Sequence, residues 1–228
     1  HNMEDLKITW KGHACFEFTC GDHNAVIDPY REVPGYPPLA LEAGEVYASH
    51  TQHDDHGYFE AVKLVAQPGK SPFKVTTVDT FHDPEGGALR GRNKITLIEA
   101  GGVRLAHFGD LGHELSDEQL EAVKGSDIIM IPVGGFYTID GGQAARLAEA
   151  TGAKLIVPMH FRSGDKGFDV IDTPDAFMNA LNADITRYDA DDNVIKVADR
   201  HAYVSAGGDT VGIDLVGAGR AAVLLHFN

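Results

Sequence analysis

"SHTQHDDHGY", residues 49–58, sets three histidines and two aspartates within the seven positions from His50 to His56. A solvated charge run would use Lys, Glu and Ser, whereas neutral imidazole with carboxylate is the donor combination that zinc, manganese and iron accept. The stretch therefore reads as part of a metal site. It follows the short apolar run "EVYAS" and precedes "YFEAVKLV", whose spacing predicts a helix, so the cluster is expected on a strand-to-helix loop. A catalytic metal draws ligands from several segments that the fold brings together, and further donors should end other strands.

Working outward, "LKITW" and "ACFEFT" alternate apolar and polar residues, and "GDHN" supplies a turn before "AVID", which predicts an antiparallel meander. The Pro-rich "REVPGYPPLALEAG" is expected to be a loop. Beyond the cluster, "FKVTTVDTF", "NKITLIEA" and "VRLAHFGD" read as strands, the last two joined by "AGG". A helix should follow at "SDEQLEAVK", with Ser116 as its cap and Gln119 three residues on. Strand and helix then alternate: "DIIMIPV", "GGQAARLAEA", "AKLIVPMH" and a helix "TPDAFMNAL" beginning at Thr173 with Pro174 in its first turn. Three of these strands end in a donor: His82 after "TTVDTF", Asp110 after "VRLAHFG" and His160 after "KLIVPM". Each alone would be read as a satisfied structural residue. Together with residues 50–56 they outline one metal site. Without tandem repeat or linker, residues 1–228 are expected to form one domain of α/β (α+β) class, two sheets sandwiched by helices, with His1 and Asn2 ahead of Met3 as an expression remnant.

Composition narrows the partners. With 43% apolar and 23% charged residues the chain lies in the ordinary globular range, and no apolar run is long enough to span a bilayer. A formal charge of -15 repels nucleic acid and anionic membranes at long range, which leaves a small-molecule substrate as the expected partner and self-association into a homo-oligomer open. No basic segment followed by an apolar one opens the sequence, so a cytoplasmic location is expected. Cys15 and Cys20 lack the spacing of a zinc ribbon or redox motif and are expected to be reduced thiols.

The segments "WKGHACFEF", "VIDPY", "SHTQHDDHGY", "FHDPEGGALRGRN", "HFGDLGH", "IPVGGFYTID" and "VPMHF" occur in an order that resembles the metallo-β-lactamase superfamily, in particular its sugar-phosphate lactonase-like hydrolases, over roughly residues 3 to 162. The resemblance implies a four-layer αββα sandwich and a dinuclear site, with two divalent ions per chain, zinc first and manganese or iron as alternatives. It implies that His53 and His82 hold one ion, that Asp55, His56 and His160 hold the second, and that Asp110 bridges them. The family loop reads H-x-H-x-D-H, whereas this one reads H-x-x-H-x-D-H, so strict spacing would put Thr51 where a histidine belongs. We expect the loop to bulge and His50 to complete the first site, because imidazole is a far better zinc ligand than a hydroxyl. Asp55, Asp110 and His113 are the expected catalytic residues.

Two cations held by such ligands make hydroxide available near neutral pH and polarise the scissile bond, and a bridging carboxylate leaves a coordination position open for substrate. The leading expectation is thus a hydrolase that cleaves an ester, lactone, amide or phosphodiester of a small substrate, with an anionic one suggested by the resemblance. The alternatives are a di-iron redox protein and a non-catalytic metal binder with a degraded first site. Asp28 is expected either to support a ligand imidazole or merely to form a turn before Pro29. His13 and His113 are candidates for lining the mouth or donating a proton to the leaving group, set against ordinary loop hydrogen bonding. His107 is placed outside the ligand set by its spacing from Asp110. Tyr137, Thr138 and Arg162 are candidate substrate contacts, and "VGGFYTID" lacks the spacing and lysine of a phosphate-binding P-loop. His23, His201 and His226 have no motif around them. Substrate choice is expected to lie in loops 31 to 44 and 161 to 175.

Overall fold

In the computed structural model, which describes residues 5–50 and 57–227, the alternating N-terminal stretch forms three antiparallel strands, β1 (Leu6–Gly12), β2 (Cys15–Cys20) and β3 (His23–Ile27). Leu6, Ile8, Trp10, Phe16 and Phe18 are buried while Lys7 faces solvent, so the period-two pattern puts one side of the meander on the core. A short β4 (Leu41–Ala43) precedes β5 (Glu45–Tyr47), which joins the sheet parallel to β3. After residues 51–56 the chain makes a 3₁₀ turn at Phe59–Ala61 and a strand β6 (Val62–Leu64) that pairs with β4 as a separate two-stranded sheet.

The second large sheet begins with the antiparallel strands β7 (Lys74–Phe81), β8 (Arg92–Ala100) and β9 (Val103–His107). It continues in parallel through β10 (Ile128–Pro132) and β11 (Leu155–Met159). Every residue of these two strands is buried, as expected of parallel strands covered on both faces. Three short α-helices among the described residues occupy the connections of this sheet: α1 (Asp117–Val123), α2 (Gly141–Thr151) and α3 (Asp175–Ala180). α1 starts on a reciprocal Ser116–Gln119 capping box and α2 on an equivalent Asp140–Gln143 pair. α2 packs on β10 and α3, and Ala144, Ala145 and Ala148 are among its buried residues.

The segment after residue 165, for which no motif was legible, completes both sheets. β12 (Ile185–Asp189) forms an edge of the second. β13 (Val194–Ala198), β14 (His201–Ala206) and β15 (Asp209–Asp214) extend the first beyond β1. β16 (Arg220–Leu224) inserts between β11 and β12. The orders are β15-β14-β13-β1-β2-β3-β5 and β12-β16-β11-β10-β9-β8-β7. Asn193 joins the last third to the first strand, its side chain donating to the Trp10 carbonyl at 2.8 Å and its carbonyl accepting from the Trp10 amide at 2.9 Å. The αββα expectation is met in its two-sheet core, with the described α-helices gathered on the second sheet. No described helix is long and apolar enough to cross a membrane.

Three local expectations are corrected. The helix predicted at "YFEAVKLV" is one 3₁₀ turn followed by β6: Tyr58 provides no side-chain cap, Pro68 and Gly69 follow closely, and β-branched Val62 is taken up by pairing with Leu41. The loop predicted at "REVPGYPPLALEAG" contains β4 for the same reason. α3 starts at Asp175, with Pro174 rather than Thr173 at its N-terminal boundary.

Strand direction sets up the site. β1, β3 and β5 share one direction, because β2 reverses between the first two and β5 is parallel to β3. By the same logic β7, β9, β10 and β11 share a direction in the second sheet.

Candidate metal centre

The C-terminal ends of these strands deliver six buried polar side chains: His13 directly after β1, Asp28 after β3, His50 three residues past β5, His82 after β7, Asp110 three residues past β9 and His160 after β11. His50, His82 and Asp110 present ligand atoms that all lie within 4.8 Å of one another. His82 Nε2 is 2.8 Å and His50 Nε2 is 3.7 Å from Asp110 Oδ2, while His160 Nε2 is 3.4 Å from Asp110 Oδ1. Thr51, His53, Asp55 and His56 lie outside the described residues.

This donor set fits a divalent cation. Ion pairing alone does not explain it: three buried imidazolium ions around the one carboxylate of the described set would leave excess positive charge in the interior. Neutral imidazoles instead present lone pairs. Donors sharing one tetrahedral ion with bonds near 2.0–2.1 Å stand about 3.3 Å apart, and the three Asp110 distances bracket that spacing.

The backbone at the site is unusual too. His13, Asp28 and His160 have φ of 53°, 53° and 54°, a left-handed conformation that non-glycine residues adopt at a cost of about 1–3 kcal/mol each, and that clusters where a side chain must be aimed.

Hydrogen bonds behind the ligands fix their orientation. Asp28 accepts from the Ser49 amide at 2.6 Å and from the Ser49 hydroxyl at 2.7 Å. Since that hydroxyl spends its one proton on Asp28, its contact with His50 Nδ1 at 3.1 Å has imidazole as donor. His50 is thereby held as the Nδ1–H tautomer, with the Nε2 lone pair toward Asp110. Ser49 is wedged against Gly109, whose φ is 58° and where any Cβ would collide with the Ser49 side chain.

His107 is fully buried. Its Nε2–H donates to the Ala14 carbonyl at 2.9 Å, and its Nδ1 accepts from the Gly109 amide at 3.2 Å, so it braces the turn that carries Asp110. Asn93 does similar work from β8: its Oδ1 accepts from the Asp110 amide at 2.9 Å and its amide group donates to Thr80 Oγ1 and the Phe108 carbonyl, each at 3.0 Å. Asp83, next to His82, accepts from the amides of Glu85, Gly87, Leu89 and Arg90. Desolvation by burial would raise its pKa, but these four bonds to the charged form prevail and hold it at about 2.

Ser49, Asn93 and Asp83 were not singled out from sequence. Asn93 stands between Arg92 and Lys94 at the polar start of β8, so nothing in the local sequence marks it as buried.

The other candidates divide. His13 lies behind the mouth, fully buried, its ring centroid 3.9 Å from that of His160 and its carbonyl accepting from the Trp10 indole and the His160 amide. His113 is committed at both nitrogens, Nδ1 donating to the Glu114 carbonyl at 2.7 Å and Nε2 accepting from the Phe81 amide at 3.0 Å. In this structure the ring braces the end of β7. Arg162 Nε donates to the Ile171 carbonyl, and its amide to that of Asp172, which spans loop 162–172. Thr138 donates its hydroxyl to the Ile139 carbonyl. His23, His201 and His226 contact Pro68, Asp199 and Asp189, away from the cluster.

The sequence matches the profile of the β-lactamase superfamily domain over residues 7–160. A metal-dependent hydrolase of Thermoplasma acidophilum is 25% identical over 219 residues, covering 82% of this chain and 95% of that protein. One from Methanosarcina mazei is 26% identical over 224 residues, with 80% and 94% covered. A Thermotoga maritima crystal structure, described as a Zn-dependent hydrolase of the metallo-β-lactamase superfamily, superposes with a TM-score of 0.64 at 26% identity, over 98% of this chain and 100% of that one. With the profile matched across most of its length and the donors gathered where the two sheets end together, the chain belongs to the β-lactamase superfamily, in its metallo-β-lactamase fold.

Proposed function

We propose that this chain is a metal-dependent hydrolase of small-molecule substrates. The observation that carries the reading is the convergence of His50, His82 and Asp110 within 4.8 Å, with His160 on the other oxygen of the same carboxylate. The relatives from Thermoplasma and Methanosarcina, named as metal-dependent hydrolases, support it.

A two-ion site is supported by the division of Asp110: Oδ2 faces His50 and His82, and Oδ1 faces His160. In this reading His50, His53 and His82 serve one ion, Asp55, His56 and His160 the other, and Asp110 both, with zinc the first candidate for a mixed imidazole and carboxylate set. When bound, such ions acidify a water molecule and polarise the bond under attack. The chain's own contribution is positional. Ser49 and Asp28 keep the His50 Nε2 lone pair directed inward, Asn93 fixes the turn of Asp110, and Asp83 pins the loop behind His82, so the donors are held before substrate arrives.

Elemental analysis of protein purified without added metal, paired with turnover of an ester, a lactone, an amide and a phosphodiester, tests the proposal. We expect up to two equivalents of zinc or manganese and hydrolysis that stops on chelation. Asp110→Asn should lose metal and lower kcat by orders of magnitude. Unchanged hydrolysis in metal-free protein would overturn the reading, and tightly held iron without hydrolysis would favour the redox alternative.

A further inference from the structure

Beyond the ligands, an unbroken series of rings leads from the centre to the surface. The His160 ring lies 3.9 Å from that of His13; His13 meets Phe168 edge-on at 5.4 Å; Phe168 meets Tyr137 at 5.9 Å; and Tyr137 meets Phe136 at 4.8 Å. Phe136 is 66% exposed and has φ of 63°. A large ring gains little from packing at that exposure, and glycine or asparagine would hold a left-handed backbone at lower cost. Strain of this kind concentrates at ligand contacts. Leu89 and Val170, also exposed, sit on the loops that follow His82 and His160. Apolar surface is thus displayed on loops at the end of the sandwich where the donors converge.

Charge at the same end points the same way. The loops 28–40, 82–91, 108–116, 133–140 and 160–174 carry ten acidic residues and four basic ones. All four basic groups have local partners: Arg31 lies 5.8 Å from the Tyr58 ring, Arg90 Nε donates to the His82 carbonyl, Arg162 Nε to the Ile171 carbonyl, and Lys166 pairs with Asp165 at 3.6 Å. Asp28, Asp83 and Asp110 are buried and committed, but seven of the acidic residues are exposed, so at the rim, away from the metal ligands, a phosphate or carboxylate on the non-reacting part of a substrate would meet net negative charge.

We propose that Phe136, Tyr137 and Phe168 form the specificity wall for the apolar acyl or aryl portion of an uncharged ester, lactone or amide. The inference rests on the hydrolase reading and narrows it away from the anionic substrate that sequence resemblance suggested. In the reaction, water adds its oxygen to the acyl carbon, the carbon–oxygen or carbon–nitrogen bond breaks, and the departing atom takes a proton.

The test uses hydroxamates, which bind catalytic metals without turnover. Affinities of zinc-loaded protein for acetohydroxamate, phenylacetohydroxamate and the anionic monohydroxamate of succinate are measured by calorimetry. We expect phenylacetohydroxamate to bind at least about tenfold more tightly than acetohydroxamate, the scale of one well-packed ring, and the succinate derivative to bind no better than acetohydroxamate. Phe136→Gly, which accepts the positive φ, should keep its zinc and its thermal midpoint while that ratio falls to about twofold. A wild-type ratio near one, a ratio unchanged in the variant, or tightest binding of the anionic compound would overturn the wall alone. Failure of both neutral hydroxamates to bind zinc-loaded protein would overturn the metal-centre reading and the wall with it.

Discussion

Ser49→Ala removes one oxygen and tests whether the Asp28–Ser49–His50 relay sets up the metal site. The serine hydroxyl donates to a buried carboxylate at 2.7 Å and accepts from His50 Nδ1 at 3.1 Å, whereas the amide bond from residue 49 to Asp28 at 2.6 Å survives the substitution. Because alanine keeps the Cβ against Gly109, little cavity opens, and the lost bond to a charged group dominates at about 1.5–3 kcal/mol of stability in metal-free protein. With its Nδ1 acceptor gone, His50 is no longer confined to one tautomer. Loss of such a supporting partner weakens metal affinity by about 10–100-fold, or about 1.4–2.7 kcal/mol. Titration of the weaker zinc site against a chromophoric chelator reads the second quantity, and urea unfolding of the apo-protein reads the first. Asp28→Asn sharpens the test. Asparagine tolerates the φ of 53° at this position, but its amide can donate to Ser49, which turns the hydroxyl proton toward His50 Nδ1 and places a proton on Nε2. We therefore expect it to weaken zinc more than Ser49→Ala does. Zinc affinity within about twofold of wild type in Ser49→Ala would refute the relay.

Asn93→Ala should destabilise the protein by about 2–4 kcal/mol in urea unfolding, since it strips three hydrogen bonds and leaves the Asp110 amide buried without its acceptor; a change below about 0.5 kcal/mol would show that the turn does not depend on it. Asp83→Asn presents one acceptor oxygen where a carboxylate serves four amides, so hydrogen exchange across residues 84–91 should accelerate and affinity for the ion on His82 should fall, with unaltered exchange counting against the anchor. His50→Ala should release one metal equivalent per chain by elemental analysis and Thr51→Ala should release little; the reverse pattern would place Thr51 in the first ligand position.

Periodicity and capping, which depend on neighbours within a few residues, were legible in the sequence. The alternation of β1 and β2, the apolar runs of β10 and β11, and the Ser116–Gln119 box all appear where local pattern put them; His82 and His160 directly follow strands, whereas β9 stops at His107 and Asp110 lies on the turn beyond it. What the sequence could not carry is pairing between distant segments. Residues 59–64 take up a 3₁₀ turn and strand because Leu41–Ala43 stands ready to pair with them, and no local pattern encodes a partner some twenty residues away. The last third of the chain carries no motif because its work is to complete two sheets begun elsewhere, tied back through Asn193 to Trp10. Residue type alone left His107, Asn93 and Ser49 ambiguous. A buried polar group is defined by the donor or acceptor that meets it, and for these three the partners are Ala14, Asp110 and Asp28, which only the folded backbone brings within hydrogen-bond reach.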